Sequence, residues 1–277
     1  MSKVIFLLFF SIFIFLPQSH GQNDSDPGTS SFSEDNLPDS LQGHGEAVRW
    51  YRMAAEQGEA DAQFNLGLSY AIGLGVPQDY SEAARWYRLA AEQGHAGAQY
   101  NLGNLYGTGR GVQQKYSEAV RWYRMAAEQG DADAQFNLGL SYGAGLGVSQ
   151  DYEEAVHWYR LAAEQGNASA QNNLGYVYGT GQGVPRDHSE AVRWYRMAAK
   201  QGEADGQLNL GVMYFNGEGV PENPVLAYVW TSLSAAQGHE DAAETRDTVR
   251  AFLNPDQLAR AKDIVARCIS SSYRDCD

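Results

Sequence analysis

Apolar side chains recur along most of this chain at helical spacing. In residues 59–94, Ala62, Leu66, Gly67 and Tyr70 share one helical face. Further on, Ala83, Trp86, Tyr87, Ala90 and Ala91 share another. Gly73 and Gly75 interrupt the pattern between them, where a tight helix exit needs a left-handed backbone. Asp79, with Glu82 three residues on, is an acidic version of the capping box and predicts a new helix start. Gly94 predicts its end. The stretch therefore reads as helix, glycine loop, helix.

The same pattern returns every 36 residues. Trp50, Trp86, Trp122, Trp158, Trp194 and Trp230 keep that step, as do the Leu-Gly pairs from Leu66-Gly67 to Leu210-Gly211. The decapeptide RWYRMAAEQG at 49–58 recurs unchanged at 121–130 and nearly unchanged at 85–94, 157–166 and 193–202. One register held over five cycles is a structural repeat. A two-helix unit cannot bury its Trp alone, so each must stack on a neighbour. The alanines and the Leu-Gly glycine supply small surfaces that let helices approach.

The motif A-x-x-x-L-G-x-x-Y-x-x-G-x-G-V, followed by A-x-x-W-Y-x-x-A-A-x-x-G, resembles the Sel-1-like repeat, a relative of the tetratricopeptide repeat. The resemblance covers residues 46–238. It implies an all-α fold, a right-handed α/α superhelical solenoid of 36-residue helix–loop–helix repeats, with first helices lining a concave side. It also implies an adaptor or scaffold, as in secreted, periplasmic and endoplasmic-reticulum-luminal members. Departures occur at Lys115, which replaces the capping acid, and in the last unit, where Asn223-Pro224 replaces Asp-Tyr. That unit's second helix reads WTSLSAAQG, without the tyrosine and both arginines, as a terminal capping repeat would.

The ends read differently. Residues 1–21 combine Lys3, an apolar run from Val4 to Leu16 and the small residues Ser19 and Gly21, the pattern of a secretory signal peptide. A polar stretch at 22–42 reads as a disordered linker, and 43–238 as the repeat solenoid. Residues 239–277 read as a C-terminal helical cap broken at Asn254-Pro255. Secretion or export to a periplasm is the expected localisation, with no membrane insertion once the signal is removed.

A formal net charge of −14 changes the list of partners. Such a surface repels phosphate backbones and anionic lipid, so nucleic acid is not an expected partner. The two cysteines, Cys268 and Cys276, both lie in the cap. One continuous helix through both would hold them about 12 Å apart, so a disulfide requires the helix to end near Ser270–Ser272 and fold back.

Candidate chemistry is sparse. The stretch GLSYG at 139–143 fits a nucleophile elbow, but that motif needs a strand before the serine, and Ser141 falls in a predicted helix. His44, His95, His157, His188 and His239 do not pair at ligand spacing, so neither metal nor cofactor is expected. Glu82, Glu118, Glu154 and Glu190 are explained as capping residues on separate units.

The first helices are the better place to look. By analogy with tetratricopeptide units, the concave side takes Phe64, Tyr100, Phe136, Asn172 and Leu208, and also Leu68, Asn104, Leu140, Tyr176 and Val212. These vary between units while the packing positions do not. Beside them runs an unbroken row: Asn65, Asn101, Asn137, Asn173 and Asn209. Two explanations stand for each set. The apolar side chains are pockets for a ligand or packing between neighbouring first helices. The asparagines bind an extended peptide backbone or form a ladder between helices. The expected function is a monomeric, non-enzymatic scaffold that binds a protein or peptide in that groove. The rivals are a secreted hydrolase of cell-wall or β-lactam substrates and a structural spacer in an envelope assembly.

Overall fold

The computed structural model describes residues 39–276, with side chains from His44 onward; the signal peptide and nearly all of the linker read from the sequence lie outside the described residues. Helix α1 (Asp39–Glu56) already begins within the last four residues of that linker segment. Five helix pairs follow: α2 (Ala60–Ile72) with α3 (Tyr80–Glu92), α4 (Ala96–Thr108) with α5 (Tyr116–Glu128), α6 (Ala132–Ala144) with α7 (Tyr152–Glu164), α8 (Ala168–Thr180) with α9 (His188–Lys200), and α10 (Ala204–Asn216) with α11 (Pro224–Ala236). Helices α12 (Glu240–Arg250) and α13 (Pro255–Ser270) end the chain, and no strand occurs among the described residues.

The described chain falls into two compact units. One runs as far as Ala134 and includes Leu146–Val148; the other takes Gln135–Gly145 and everything from Ser149. In the first, α3 starts where Asp79 accepts from the backbone N–H of Ser81 and Glu82, at 2.8 and 3.1 Å. The Glu82 carboxylate pairs with Arg85 at 3.2 Å, so Asp79 acts as a simple cap. The reciprocal capping box forms instead at α13, between Asn254 and Gln257. Lys115 makes no capping bond and pairs with Glu118.

Two glycines show what the loop demands. Gly73 ends α2 in the left-handed region, at φ 73°, and donates to the Ser69 carbonyl. At Gly111 a Cβ would lie 2.2 Å from the Tyr80 backbone, so the loop sits directly against the start of the preceding second helix. The Leu-Gly glycine serves packing: a Cβ on Gly67 would meet the Tyr87 ring at 2.7 Å.

Within each unit the second helices lie on their predecessors. Trp86 is buried with Val48 and Ala55 of α1, and Trp122 with Ala83, Tyr87 and Ala90 of α3. In the second unit Trp194 is buried with Ala155, Val156 and Tyr159 of α7. Trp50, in contrast, is 69% exposed, because α1 has no earlier second helix to lie on among the described residues. Six equivalent tryptophans are therefore not six equivalent environments.

Within each unit, buried glutamines tie successive repeats together. Gln99 donates to the Ala91 carbonyl at 3.0 Å and accepts from Gln129 at 2.6 Å. Gln171 repeats the arrangement with Ala163 and Gln201. At the C-terminal end Val249, Ala261, Ile264 and Cys268 close over Leu210, Trp230 and Leu233 in one core cluster. Cys268 and Cys276 are joined as a disulfide with Cα atoms 4.6 Å apart. Helix α13 stops at Ser270 and the chain folds back, bringing the Tyr273 ring against Gly202.

Candidate binding face on the first helices

Each sequence-derived site residue lies on a first helix, and all are half-buried except Asn172, which is buried. In the first unit the half-buried ones are Phe64, Asn65, Leu68, Tyr100, Asn101 and Asn104. In the second they include Phe136, Asn137, Leu140, Asn173, Tyr176 and Asn209. The neighbouring packing positions Leu66, Leu102, Leu138, Leu174 and Leu210 are fully buried. A rigid, invariant inner row thus carries a partly open outer row whose residue types change from unit to unit.

The aromatic members rest on the tyrosine of their own unit. Ring centroids are 5.9 Å apart for Phe64 and Tyr87, 6.3 Å for Tyr100 and Tyr123, and 6.1 Å for Phe136 and Tyr159. Phe64 also stacks on His95 at 4.4 Å. Phe64 and Leu68 flank one core cluster, and Phe136, Leu140 and Tyr176 flank another. One side of each ring therefore belongs to the core.

Several of the asparagines hold helices together. Asn101 and Asn173 hydrogen-bond the hydroxyls of Tyr87 and Tyr159. Tyr123 donates to Asn104 at 2.8 Å, and Asn209 donates to Asn172 at 2.9 Å. Burial pushes the Tyr87 hydroxyl up to about 12, and Asn101 opposes that rise. Tyr123, Tyr159 and Tyr195 are raised further, chiefly by burial. At neutral pH these tyrosines are therefore neutral hydrogen-bond partners.

The remaining candidates have structural partners. Ser141 is buried within α6 and donates to the Asn137 carbonyl at 2.8 Å, far from the strand–turn geometry an elbow needs. His95 caps α4 by accepting from Ala98. His239 lies 2.8 Å from Asp205.

Sequence reasoning missed two ladders. The glutamines sit at polar positions of the pattern, yet Gln63, Gln99, Gln135, Gln171 and Gln207 are buried. The arginines of the second helices form the other ladder. Arg52 donates to Tyr70, Arg160 to Tyr178 and Arg196 to Tyr214, at 2.8, 2.9 and 2.7 Å. The constant 18-residue offset from Arg to Tyr was the available signal.

The repeat geometry matches a known pattern. A model of the Sel1 repeat matches residues 41–59, 60–95, 96–131, 132–167, 168–203 and 204–239. The chain belongs to the Sel1 repeat family. The solved structure of c5321, a protective antigen of uropathogenic Escherichia coli strains with an SLR fold, is 40% identical at a TM-score of 0.73. That likeness covers 82% of this chain and 50% of the antigen, so the Sel1 chain described here spans half the antigen's length. A Sel1 repeat protein from Oxalobacter formigenes is 37% identical with a TM-score of 0.70, over 75% of this chain and 82% of that one. No curated protein matches the chain.

Proposed function

We propose that this Sel1 solenoid is a non-enzymatic scaffold, exported to an oxidising compartment, that binds a protein or peptide along its first helices. The observation that carries the reading is the outer row. Phe64, Tyr100 and Phe136 are half-buried at a position that becomes Asn172 and Leu208 in later units, on a frame of constant, buried leucines. Variation on a fixed frame is what selective recognition requires, and half-buried aromatics are pre-organised anchors. The asparagines keep the face rigid, and those with tyrosine partners contribute to a ligand only through remaining amide valences. The terminal disulfide and the leader-like residues 1–21 support export, since such bonds persist in oxidising compartments.

The test is a pull-down from the envelope fraction of the native organism, then calorimetry with the captured partner. Phe136→Ala with Leu140→Ser is expected to weaken binding by about 2 kcal/mol or more, the size of a hot-spot loss, with helical content unchanged. Asn137→Ala is expected to act more weakly, near ~1 kcal/mol. Full affinity in the double variant defeats the reading. Arg160 is not a neutral control, because it anchors Tyr178.

A further inference from the structure

Helices α1, α3, α5 and α9 each carry two arginines of the repeat and α7 carries one, and in four of these five the last residue before the Gln-Gly exit is Glu: Glu56, Glu92, Glu128 and Glu164. In α9 that residue is Lys200. The change falls at a pocket. Between α9 and the loop after α10, Arg193, Arg196 and Lys200 line an open cavity of about 410 Å³, floored by Val192, Met197 and Val220. No carboxylate is among its described lining residues, although Glu190 pairs with the lining Arg193. The cavity over α3 in the other unit mixes Arg88, Lys115 and Arg121 with Glu92 and Glu118.

Neither arginine is idle. Arg193 pairs with Glu190 at 3.1 Å, and Arg196 donates to Tyr214 while its Nε is buried with no partner. These contacts hold the guanidinium groups in place and leave donors on each, since a guanidinium carries five. The three cations stand at i, i+3 and i+7 of one helix, a strip about 10 Å long. A single phosphate needs cations gathered on one point. A strip with an apolar floor suits an extended segment, whose alternate side chains are about 7 Å apart.

We propose that this pocket is a binding site for an acidic peptide segment in which carboxylate and apolar side chains alternate. It lies on α9 and the loop after α10, and shares no residue with the face on the first helices. On a chain of net charge −14 the attraction is short-ranged, because charges beyond about 8 Å are screened at physiological salt.

The probe is N-acetyl-Glu-Leu-Glu-Leu-amide, titrated calorimetrically into the full exported chain at low and physiological salt. Binding is expected to fall at least tenfold when both Glu are replaced by Gln, and to weaken with salt. Lys200→Glu installs the residue four other units carry, so the fold is retained, and at least tenfold loss is expected. Arg193→Gln gives a second, smaller loss. Phe136→Ala with Leu140→Ser leaves probe binding unchanged, which separates this site from the groove. Equal binding of the Glu and Gln peptides, or of wild type and Lys200→Glu, overturns the proposal. So does binding of inorganic phosphate or phosphatidylglycerol vesicles without binding of the peptide.

Discussion

Glu203 caps α10 by accepting from the Gly206 N–H, and it does so from a largely buried place beside Asp205. Burial, then the Asp205 charge, raises its carboxyl from the ordinary 4.5 to about 7. Between those values the folded chain keeps a proton that the unfolded chain has released. Stability is therefore fully present below about pH 4.5 and declines as pH rises through 7, by something like 3 kcal/mol at most. Glu203→Gln keeps an acceptor for Gly206 and removes the charge. The variant is expected to melt higher than wild type at pH 8 and to lack the decline between pH 5 and 8 when melts are followed by circular dichroism. An unchanged slope places the titration elsewhere. Tryptophan burial gives a second residue-scale test. Trp122 is 4% exposed against α3, whereas Trp50 is 69% exposed. Trp122→Ala is expected to cost about 3–5 kcal/mol in urea unfolding, while Trp50→Ala stays within roughly 0.5 kcal/mol. Equal costs would contradict the stacking direction described here.

At the scale of elements, the C-terminal cap depends on the eight-residue separation closed by Cys268–Cys276. Both cysteines are buried in the cluster formed by α9, α10, α11, α12 and α13. On the chain-entropy model so short a loop stabilises the terminus by roughly 2–3 kcal/mol. Cys276→Ser is expected to lower the unfolding free energy by about that much, with hydrogen exchange first accelerated in residues 268–276. Exchange unchanged there would show that the tail is held by Tyr273 and Gly202 alone. Helix boundaries were readable because their causes are local: Asp79, Gly73 and Asn254-Pro255 each act within four residues. The ladders were not readable from periodicity. Gln99 is polar by type and buried by placement, and its partners Ala91 and Gln129 stand 8 and 30 residues away. For the same reason the asparagine row admitted two explanations until Asn101 was seen on Tyr87 and Asn173 on Tyr159. The row of Phe64 and Phe136 was placed by analogy with tetratricopeptide units, and helical spacing accounts only for its members sharing a face with their neighbours one turn on.

For the whole molecule, stability should behave as a sum over units and their nearest neighbours. Removing residues 95–130 in register joins Gly94 to Asp131. Asp131 already caps its own helix by accepting from Ala134 at 2.8 Å, as His95 does for α4 from Ala98. Gln135 has the identity of Gln99, which bonds Ala91, and Tyr142 has the identity of Tyr106, which accepts from Arg88. The glutamine and tyrosine lost at the new junction are thus replaced by the same residue type at the same position, whereas His95, which stacks on Phe64, gives way to Asp131. The shortened chain is expected to keep a cooperative melt and the wild-type ellipticity per residue, with a lower total unfolding free energy. Removing 95–124 instead brings the end of α3 onto the last four residues of α5, out of phase with every ladder. That variant is expected to lose both cooperativity and helicity. If the in-register deletion also unfolds, the units are not interchangeable and the repeat is a record of copying rather than the unit of stability.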